Sequence, residues 1–346
     1  MQNITIVGMS GRFALASDVS SLHQILRDGV DCIRPPASDR LRTQGMSDTS
    51  KFEAALIDGF DRFDRDLFGI GREEARYLDP EQRHLLEQSF LALEDAAWRP
   101  DDMSGFNLGV FIASALPSGF AEWLPPGKAY GLTGAMPALA AGRISHWLNS
   151  SGPAQVINTA CSSSLVAVLA AVAALREGSV DAALVGAFRV HCGHYDQLPE
   201  DPLGIHARDF RSRSFDAAAS GVGIGEGGGV LILKRQDEAE ADGDRVRALI
   251  LGGAANHDGR SPNGLTAPCQ RSQTEMYRRA WRNAGIEGSD IAYFEAHGTG
   301  TQLGDPIEYR GLLQALGSAA QSATPARLGS IKSNMAILIM LRVWRG

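Results

Sequence analysis

Short apolar runs alternate along the chain with longer segments that carry apolar residues at helical spacing. Five runs have the length and composition of a buried β-strand: ITIVGM (4–9), LGVFIAS (108–114), AQVINTA (154–160), DAALVGAF (181–188) and GVLILKR (229–235). The segment SLHQILRDG, which follows the first run, predicts a helix. Because strands that alternate with helices form sheets covered by helices, the pattern predicts an α/β fold.

One helix start is marked by its capping residues. In LDPEQRHLLEQSFLALEDAAW, Asp79 suits an N-cap, Pro80 suits the first helical position, and Gln82 stands where a capping box places a polar side chain. The sequence therefore predicts a helix that begins directly after Asp79.

A charged run, QDEAEADGDR (236–245), follows the last of these strands and predicts an exposed connection near the midpoint of the fold. Beyond it, RVRALILGGAA, IAYFEAHG and RLGSIKSN predict strands, QRSQTEMYRRAWRNAG predicts a helix, and another helix is expected to start near Asp305. The second half thus repeats the βαβαβ rhythm of the first. We expect one half at 1–245, a second at 246–334, and a tail at 335–346.

Composition narrows the class of protein. The 346 residues are 44% hydrophobic and include 39 glycines, which is typical of a layered globular fold with a large core. A net charge of −7 gives no broad basic field, so we expect no binding to nucleic acid or to an anionic membrane. The start, MQNITIVGMSGRF, has no secretory pattern, and no uninterrupted apolar run reaches the ~18 residues of a membrane span. We therefore expect a cytoplasmic protein.

The four cysteines are far apart in sequence and show no CxxC spacing: Cys32, Cys161, Cys192 and Cys269. This spacing predicts neither a disulfide framework nor a zinc site. The segment HCGH (191–194) does not match a zinc pattern and has no second ligand pair, so we interpret it as loop or packing residues and expect no metal.

The segment NTACSSSLVAVLAAVAAL (158–175) combines a strand end, a turn of small polar residues and a helix that is apolar on nearly every face and is expected to be buried. Cys161 falls at the helix start, where free N–H groups and the helix dipole favour a thiolate and can stabilise an oxyanion. A cysteine can also be a small buried hydrophobic residue. The residues alone leave a nucleophile and a packing role both open.

Two further polar residues follow apolar strands. His297 comes after IAYFEA and before the turn GTGT, where small residues permit close approach of a ligand, although a histidine there can also be structural. Lys332 in GSIKSN suits an active-site cation or a solvated strand end. The glycine-rich segment 221–229 has a GxGxxG-like spacing, but it precedes a strand, which disfavours a dinucleotide site.

These motifs together resemble those of the β-ketoacyl synthases, and more narrowly the ketosynthase domains of modular polyketide synthases. The shared motifs, in the order of that family, are IVGMSGRF, FDRDLFGIGREEARYLDPEQRHLLE, NTACSSS, GEGGGVLILKR, ANHDGRSPNGLTAP, EAHGTGTQLGDPIE and GSIKSN. The resemblance covers most of the chain. One departure is Asn158, where the family usually has aspartate, which affects the turn rather than the chemistry.

The resemblance implies a thiolase-like fold, a five-layered αβαβα sandwich, in a homodimer with the strand before the cysteine near the dimer axis. It implies an acyltransferase of polyketide or fatty acid biosynthesis. Cys161 would take an acyl group from the phosphopantetheine thiol of an acyl carrier protein. A malonyl-type extender would then lose carbon dioxide and attack the acyl-cysteine to give a β-ketoacyl product. No bound cofactor is implied.

The resemblance also implies roles for individual residues. His297 would assist decarboxylation and polarise the extender carbonyl, and Lys332 would support the hydrogen-bond network. Thr299 and Thr301 would form the floor of the phosphopantetheine channel. We expect Asp305 with Pro306 to cap a helix, and we interpret Glu308 as a first-turn acid favoured by the helix dipole.

The tail departs from the family pattern. The family has a second histidine in K-S-N-x-G-H, whereas this chain has Ala336 and Ile337, and isoleucine cannot donate that hydrogen bond. The codons of AILIMLRVW can be reframed to Gly-His-Leu-Asp-Tyr-Ala-Ala-Gly-Val, so we hypothesise a single-base frameshift near residue 336. We then expect an incomplete C-terminal half, an uncovered face on the helix after Cys161, an unpaired sheet edge and impaired condensation.

Two other functions remain open. One is a non-catalytic ketosynthase-like pseudoenzyme that only docks a carrier protein or a full-length subunit. The other is a thiolase-fold hydrolase, which is disfavoured because the His297 motif is intact.

Overall fold

A computed structural model describes residues 2–43, 52–114, 118–120, 124–125, 129–192, 205–260, 264, 267–321 and 326–336. The strands are β1 (Ile4–Phe13), β2 (Leu108–Ala113), β3 (Ala154–Ile157), β4 (Ala182–Arg189), β5 (Gly227–Arg235), β6 (Ala248–Ile250), β7 (Tyr293–Glu295) and β8 (Arg327–Gly329). The helices are α1 (Val19–Arg27), α2 (Ser38–Thr43), α3 (Arg72–Tyr77), α4 (Pro80–Asp95), α5 (Ala129–Ala135), α6 (Ala138–Leu148), α7 (Ser163–Glu177), α8 (Gln236–Asp242), α9 (Gln270–Ala284), α10 (Gly304–Leu316) and α11 (Lys332–Met335).

The larger sheet has six strands in the order β3-β2-β4-β5-β1-β6. β3, β2 and β4 run parallel to one another, and β5, β1 and β6 each pair antiparallel with a neighbour. β7 and β8 form a separate parallel pair. The predicted α/β class is therefore confirmed, and so is the order of strands and helices in the second half.

Helices cover both faces of the larger sheet, as the alternation along β2 shows. Leu108, Val110 and Ile112 pack into one core with α4 and α6, whereas Phe111 and Ala113 pack into a second core with α7. Successive residues of a strand point to opposite faces, so a strand this apolar on both sides lies between two helical layers.

The predicted start of α4 is confirmed. The Asp79 carboxylate accepts the N–H of Glu81 at 2.9 Å, and Pro80 is the first helical residue. Gln82 does not complete a capping box; its amide instead donates to the carbonyls of Gly134 and Met136.

Three predicted elements differ from the structure. The charged run at 236–245 contains the short helix α8, which ends at Gly243 in the left-handed conformation. The strand expected at 245–255 is reduced to β6, which pairs with β1 and so extends the first sheet. The strand expected at RLGSIKSN ends at Gly329, and Lys332 begins the single turn α11.

The helix α7 is buried on one side only, so the prediction of a helix buried all round is wrong. Ala167, Ala171 and Leu175 are fully buried against the sheet, but Leu165 on the other side is 71% exposed. Residues 160–177 form the one helix of the described residues whose length and mean hydropathy would suit a membrane span, and one third of that window is buried in the fold. An apolar core helix of a soluble protein has the same properties.

Candidate active site

Cys161 lies in a tight turn between β3 and α7. Residues Ala160–Ser162 form one turn of 3-10 helix, and α7 begins at Ser163. The Ser163 hydroxyl accepts the N–H of Thr159 at 2.8 Å, and the Asn158 side chain accepts the N–H of Ala160 at 3.2 Å. Asn158 thus stabilises this turn with its side-chain amide oxygen, as an aspartate would with a carboxylate oxygen.

The Cys161 side chain is exposed to solvent, but its environment does not favour the thiolate. Burial raises the pKa of the thiol, and a hydrogen bond from its own N–H and the charge of Lys332 oppose this effect without cancelling it. We expected the helix start to favour the thiolate; desolvation outweighs that contribution. The nucleophile therefore depends on the cation beside it.

His297 follows β7, and the carboxylate of Glu308 holds its backbone. One oxygen of Glu308 accepts the N–H of His297 at 2.7 Å, and the other accepts the N–H of Gly298 at 2.8 Å. Burial and the charge of Lys332 lower the pKa of His297, while the carboxylates of Glu308 and Asp305 oppose this. The lowered pKa favours the neutral imidazole, which can donate one hydrogen bond.

The interpretation of Glu308 as an ordinary first-turn acid is wrong. Glu308 is 8% exposed, and its carboxylate does not cap the start of α10. It accepts the backbone N–H of His297 instead. Asp305 does not cap α10 either: it accepts the N–H groups of Gly300 and Phe215. The sequence held one signal for this pair. The two acids in GDPIE are three residues apart, so in a helix their side chains lie on the same side and can act on one neighbouring segment.

The GTGT turn is mostly buried and is held by hydrogen bonds. Thr299 is buried, and its hydroxyl lies 3.3 Å from that of Thr301, which in turn accepts the N–H of Gly304 at 3.1 Å. A side chain on Gly300 would collide with the backbone of Arg213, so this turn needs glycine.

The positive charge of Lys332 acts on both Cys161 and His297. Its charge opposes the rise in the pKa of Cys161 and adds to the fall in the pKa of His297, and burial lowers the pKa of the Lys332 ammonium itself. The N–H of the preceding Ile331 donates to Glu295 at 2.8 Å, which fixes the start of α11 beside β7. The three predicted residues therefore lie in one electrostatic cluster although they are far apart in sequence.

This cluster can support acyl transfer. It provides a thiol nucleophile, a cation that favours its ionised form, and a neutral imidazole that can donate to a carbonyl oxygen. Cys161 and His297 are both exposed to solvent, yet desolvation raises the pKa of the thiol and lowers the pKa of the imidazole.

Two alternative sites find no support in the described residues. Side chains on Gly228 and Gly229 would collide with carbonyl oxygens of Ala187 and Ser10, so these glycines serve close packing of β5 between its neighbours. Within the described ranges, no three histidine, cysteine or acidic residues are grouped to hold a metal ion. Of the HCGH segment, Cys192 is buried, and His194 lies outside the described residues.

Family models and individual relatives both place the chain in the family that the sequence motifs resemble. The family model described as "Beta-ketoacyl synthase, N-terminal domain" matches residues 1–239, and "Beta-ketoacyl synthase, C-terminal domain" matches residues 247–338. The chain is 36% identical over 350 residues to the polyketide synthase PksN of Bacillus subtilis, and 37% identical over 345 residues to an erythronolide synthase of Saccharopolyspora erythraea. Each match covers 96% of this chain but only 6% and 11% of those proteins.

Solved structures agree. The ketosynthase from module 6 of the bacillaene synthase of Bacillus subtilis is 34% identical with a TM-score of 0.86, over 97% of this chain and 58% of that one. An oxazolomycin ketosynthase domain of Streptomyces albus is 31% identical with a TM-score of 0.88, over 97% and 60%. The thiolase-like fold is thereby established, while the division at residue 245 and the non-family tail 335–346 stay predictions. The chain belongs to the β-ketoacyl synthase family, with the ketosynthase domains of modular type I polyketide synthases as its relatives.

Proposed function

We propose that this chain catalyses ketosynthase-type acyl transfer in polyketide assembly. The Cys161 thiolate attacks an acyl thioester on the phosphopantetheine of an acyl carrier protein, which forms acyl-Cys161 and releases the carrier thiol. The observation that carries the proposal is the action of Lys332 on both Cys161 and His297. No cofactor of the chain itself takes part.

A second stage would use His297. A malonyl-type carrier thioester loses carbon dioxide, its α-carbon attacks the acyl-Cys161 carbonyl, and the cysteine thiolate leaves as the β-ketoacyl carrier thioester forms. The neutral imidazole donates a hydrogen bond to the extender carbonyl, which stabilises the developing enolate. Thr299 and Thr301, on the hydrogen-bonded turn after His297, would line the phosphopantetheine channel.

A homodimer and a cytoplasmic location complete the proposal. β3 forms one edge of the six-stranded sheet in the described structure, and its residues Ala154 and Gln155 are exposed, which supports contact with a second copy there.

We further propose that condensation is slow because of residues 336 and 337. Ala336 adopts φ 58° and ψ −165°, a conformation that is essentially restricted to glycine, which the family motif has at this place. Ile337, outside the described residues, stands in the sequence where the family has its second histidine. Loss of one donor to a developing oxyanion costs ~10² to 10³ in rate.

The test follows carbon dioxide release from a malonyl carrier thioester and formation of the β-ketoacyl product. We expect slow release by the chain, none above background for His297→Ala, and at least ~10-fold faster condensation for the double variant Ala336→Gly, Ile337→His. Equal release by the chain and His297→Ala would refute the second stage. No gain in the double variant would refute the assigned cause of slow condensation.

The rival function is a docking partner without catalysis. The upward shift of the Cys161 pKa and the absence of a histidine at 337 favour it. It predicts no acylation of Cys161, whereas the proposed function requires it.

A further inference from the structure

The Ser214 hydroxyl joins the two segments that carry His297 and Lys332. It donates its hydrogen to the carbonyl oxygen of Gly298, and the hydroxyl of Ser333 lies 3.1 Å from it. A serine hydroxyl has one hydrogen, and that of Ser214 is already used, so the Ser333 hydroxyl donates to the Ser214 oxygen. The result is a directed chain of hydrogen bonds from Ser333 through Ser214 to Gly298.

Both ends of this chain lie next to residues of the candidate site. Gly298 directly follows His297, and Ser333 directly follows Lys332 on the single turn α11. Ser214 itself comes from the first half of the protein, 84 positions before Gly298 and 119 before Ser333. One side chain of the first half thus contacts both segments of the second half that carry the imidazole and the cation.

The next residue, Phe215, is held against the same turn. Its backbone N–H donates to the Asp305 carboxylate at 2.7 Å, and its φ of 61° is rare for a bulky side chain. Its ring lies against Gly298, where an added Cβ would be 3.1 Å from a ring carbon. Backbone in such a conformation persists only where the surrounding contacts determine it. Ser214 therefore stands on backbone that its neighbour anchors to the turn after His297.

We infer that Ser214 is a positioning residue, which holds the Lys332 segment against the His297 segment through its two hydrogen bonds. Its use in catalysis rests on the proposed function, because the Lys332 charge serves the Cys161 thiolate and His297 serves decarboxylation. Ser214 acts through these residues and exchanges neither a proton nor a bond with the substrate. The spacing of the two segments does not depend on turnover, so it can be tested without it.

The first test follows the pH dependence of Cys161 alkylation by iodoacetamide, in a Cys269→Ser background so that the partly exposed second thiol does not react. Ser214→Ala loses both hydrogen bonds, so the Lys332 ammonium is held less closely and opposes the rise in the thiol pKa less. The midpoint of the profile should move to higher pH, between those of the parent and Lys332→Met. Ser333→Ala removes only one bond and should move it less. Ser214→Thr keeps a hydroxyl and should restore the parent profile.

A double-mutant cycle tests whether the two serines act as one chain. Ser214→Ala already breaks both hydrogen bonds, so adding Ser333→Ala should change neither the alkylation profile nor the rate of carbon dioxide release any further. Ser214→Ala alone should lower carbon dioxide release roughly two- to tenfold, as expected for the net contribution of one hydrogen bond.

Ser10→Ala is the matched control. Ser10 is half-buried like Ser214, and its hydroxyl donates to the carbonyl of Gln88 at 2.7 Å, between β1 and α4, which hold no residue of the candidate site. Each variant loses a hydrogen bond to a carbonyl, so both should lower the midpoint of thermal unfolding by similar amounts. Only Ser214→Ala should move the alkylation profile.

The outcomes keep the two proposals apart. A shifted profile in Ser214→Ala, in a parent chain that no carrier thioester acylates, removes the proposed function and keeps the positioning role. A parent-like profile in Ser214→Ala overturns the inference even if the chain condenses normally. An equal shift in Ser10→Ala also overturns it, because the effect would then be general loosening, and so do additive shifts in the double variant, which would show two independent side chains.

Discussion

At the scale of single residues, the Cys161 thiol depends on its neighbours for reactivity. Burial raises its pKa, and Lys332 supplies the opposing charge. The same ammonium disfavours protonation of His297, so one cation promotes a thiolate and a neutral imidazole together. This arrangement favours the active-site cation over the solvated strand end, the two readings of Lys332 that the sequence left open.

Removing that charge should make Cys161 less reactive. In Lys332→Met the pKa of the thiol should rise further, so at any pH below that pKa the thiolate fraction falls and alkylation by iodoacetamide slows several-fold. The pH–rate profile measures this, in a Cys269→Ser background because Cys269 is partly exposed and hydrogen bonds from Ser272 lower its pKa. Lys332→Arg, which keeps the charge, should react like the parent; coincident profiles for Met and Lys at 332 would contradict the account.

Residue types and motif order sufficed to predict Cys161, His297 and Lys332 as site residues. They did not reveal Glu308 and Asp305, because an acid in the first turn of a helix has a sufficient local explanation in the helix dipole. Only the tertiary fold shows that these side chains accept backbone N–H groups of His297 and of the GTGT segment.

At the scale of elements, α7 has two different apolar faces. Leu175 is fully buried against the sheet, and Leu165 is 71% exposed at the end near Cys161. Apolar periodicity could not separate them, because the sequence is apolar on both sides and burial depends on what packs there. The ends of strands could not be predicted from the sequence either, because pairing partners decide where a strand ends. β6 has only three residues, and α11 forms where a strand was predicted.

The two faces should respond differently to substitution. Leu175→Ala should cost about 2–5 kcal/mol of unfolding free energy, since it leaves a cavity in a packed core. Leu165→Gln should change stability by less than about 0.5 kcal/mol and reduce association, since it removes exposed apolar surface. Urea titration and light scattering of both variants measure this. Similar destabilisation by the two would show that the outer face is covered.

At the scale of the whole molecule, the site forms where the two halves of the chain meet. Cys161 comes from the end of β3, and His297 and Lys332 come from segments that follow β7 and β8. Asn334 accepts the N–H of Cys32 at 2.8 Å and donates its amide to the carbonyl of Val30 at 3.0 Å, so the first half holds α11 in place. The α/β class was predictable from alternating runs; this junction was not, because it depends on contacts between residues some 300 positions apart.

Acylation of Cys161 tests the central claim most directly. The chain is incubated with an acyl carrier protein that bears an acyl phosphopantetheine thioester, and intact mass with peptide mapping locates the acyl group; Cys161→Ala is the control. We predict one acyl group per chain, on Cys161, and none on the variant. An unmodified Cys161, or equal acylation of Cys161→Ala, would contradict the account and leave the docking function in its place.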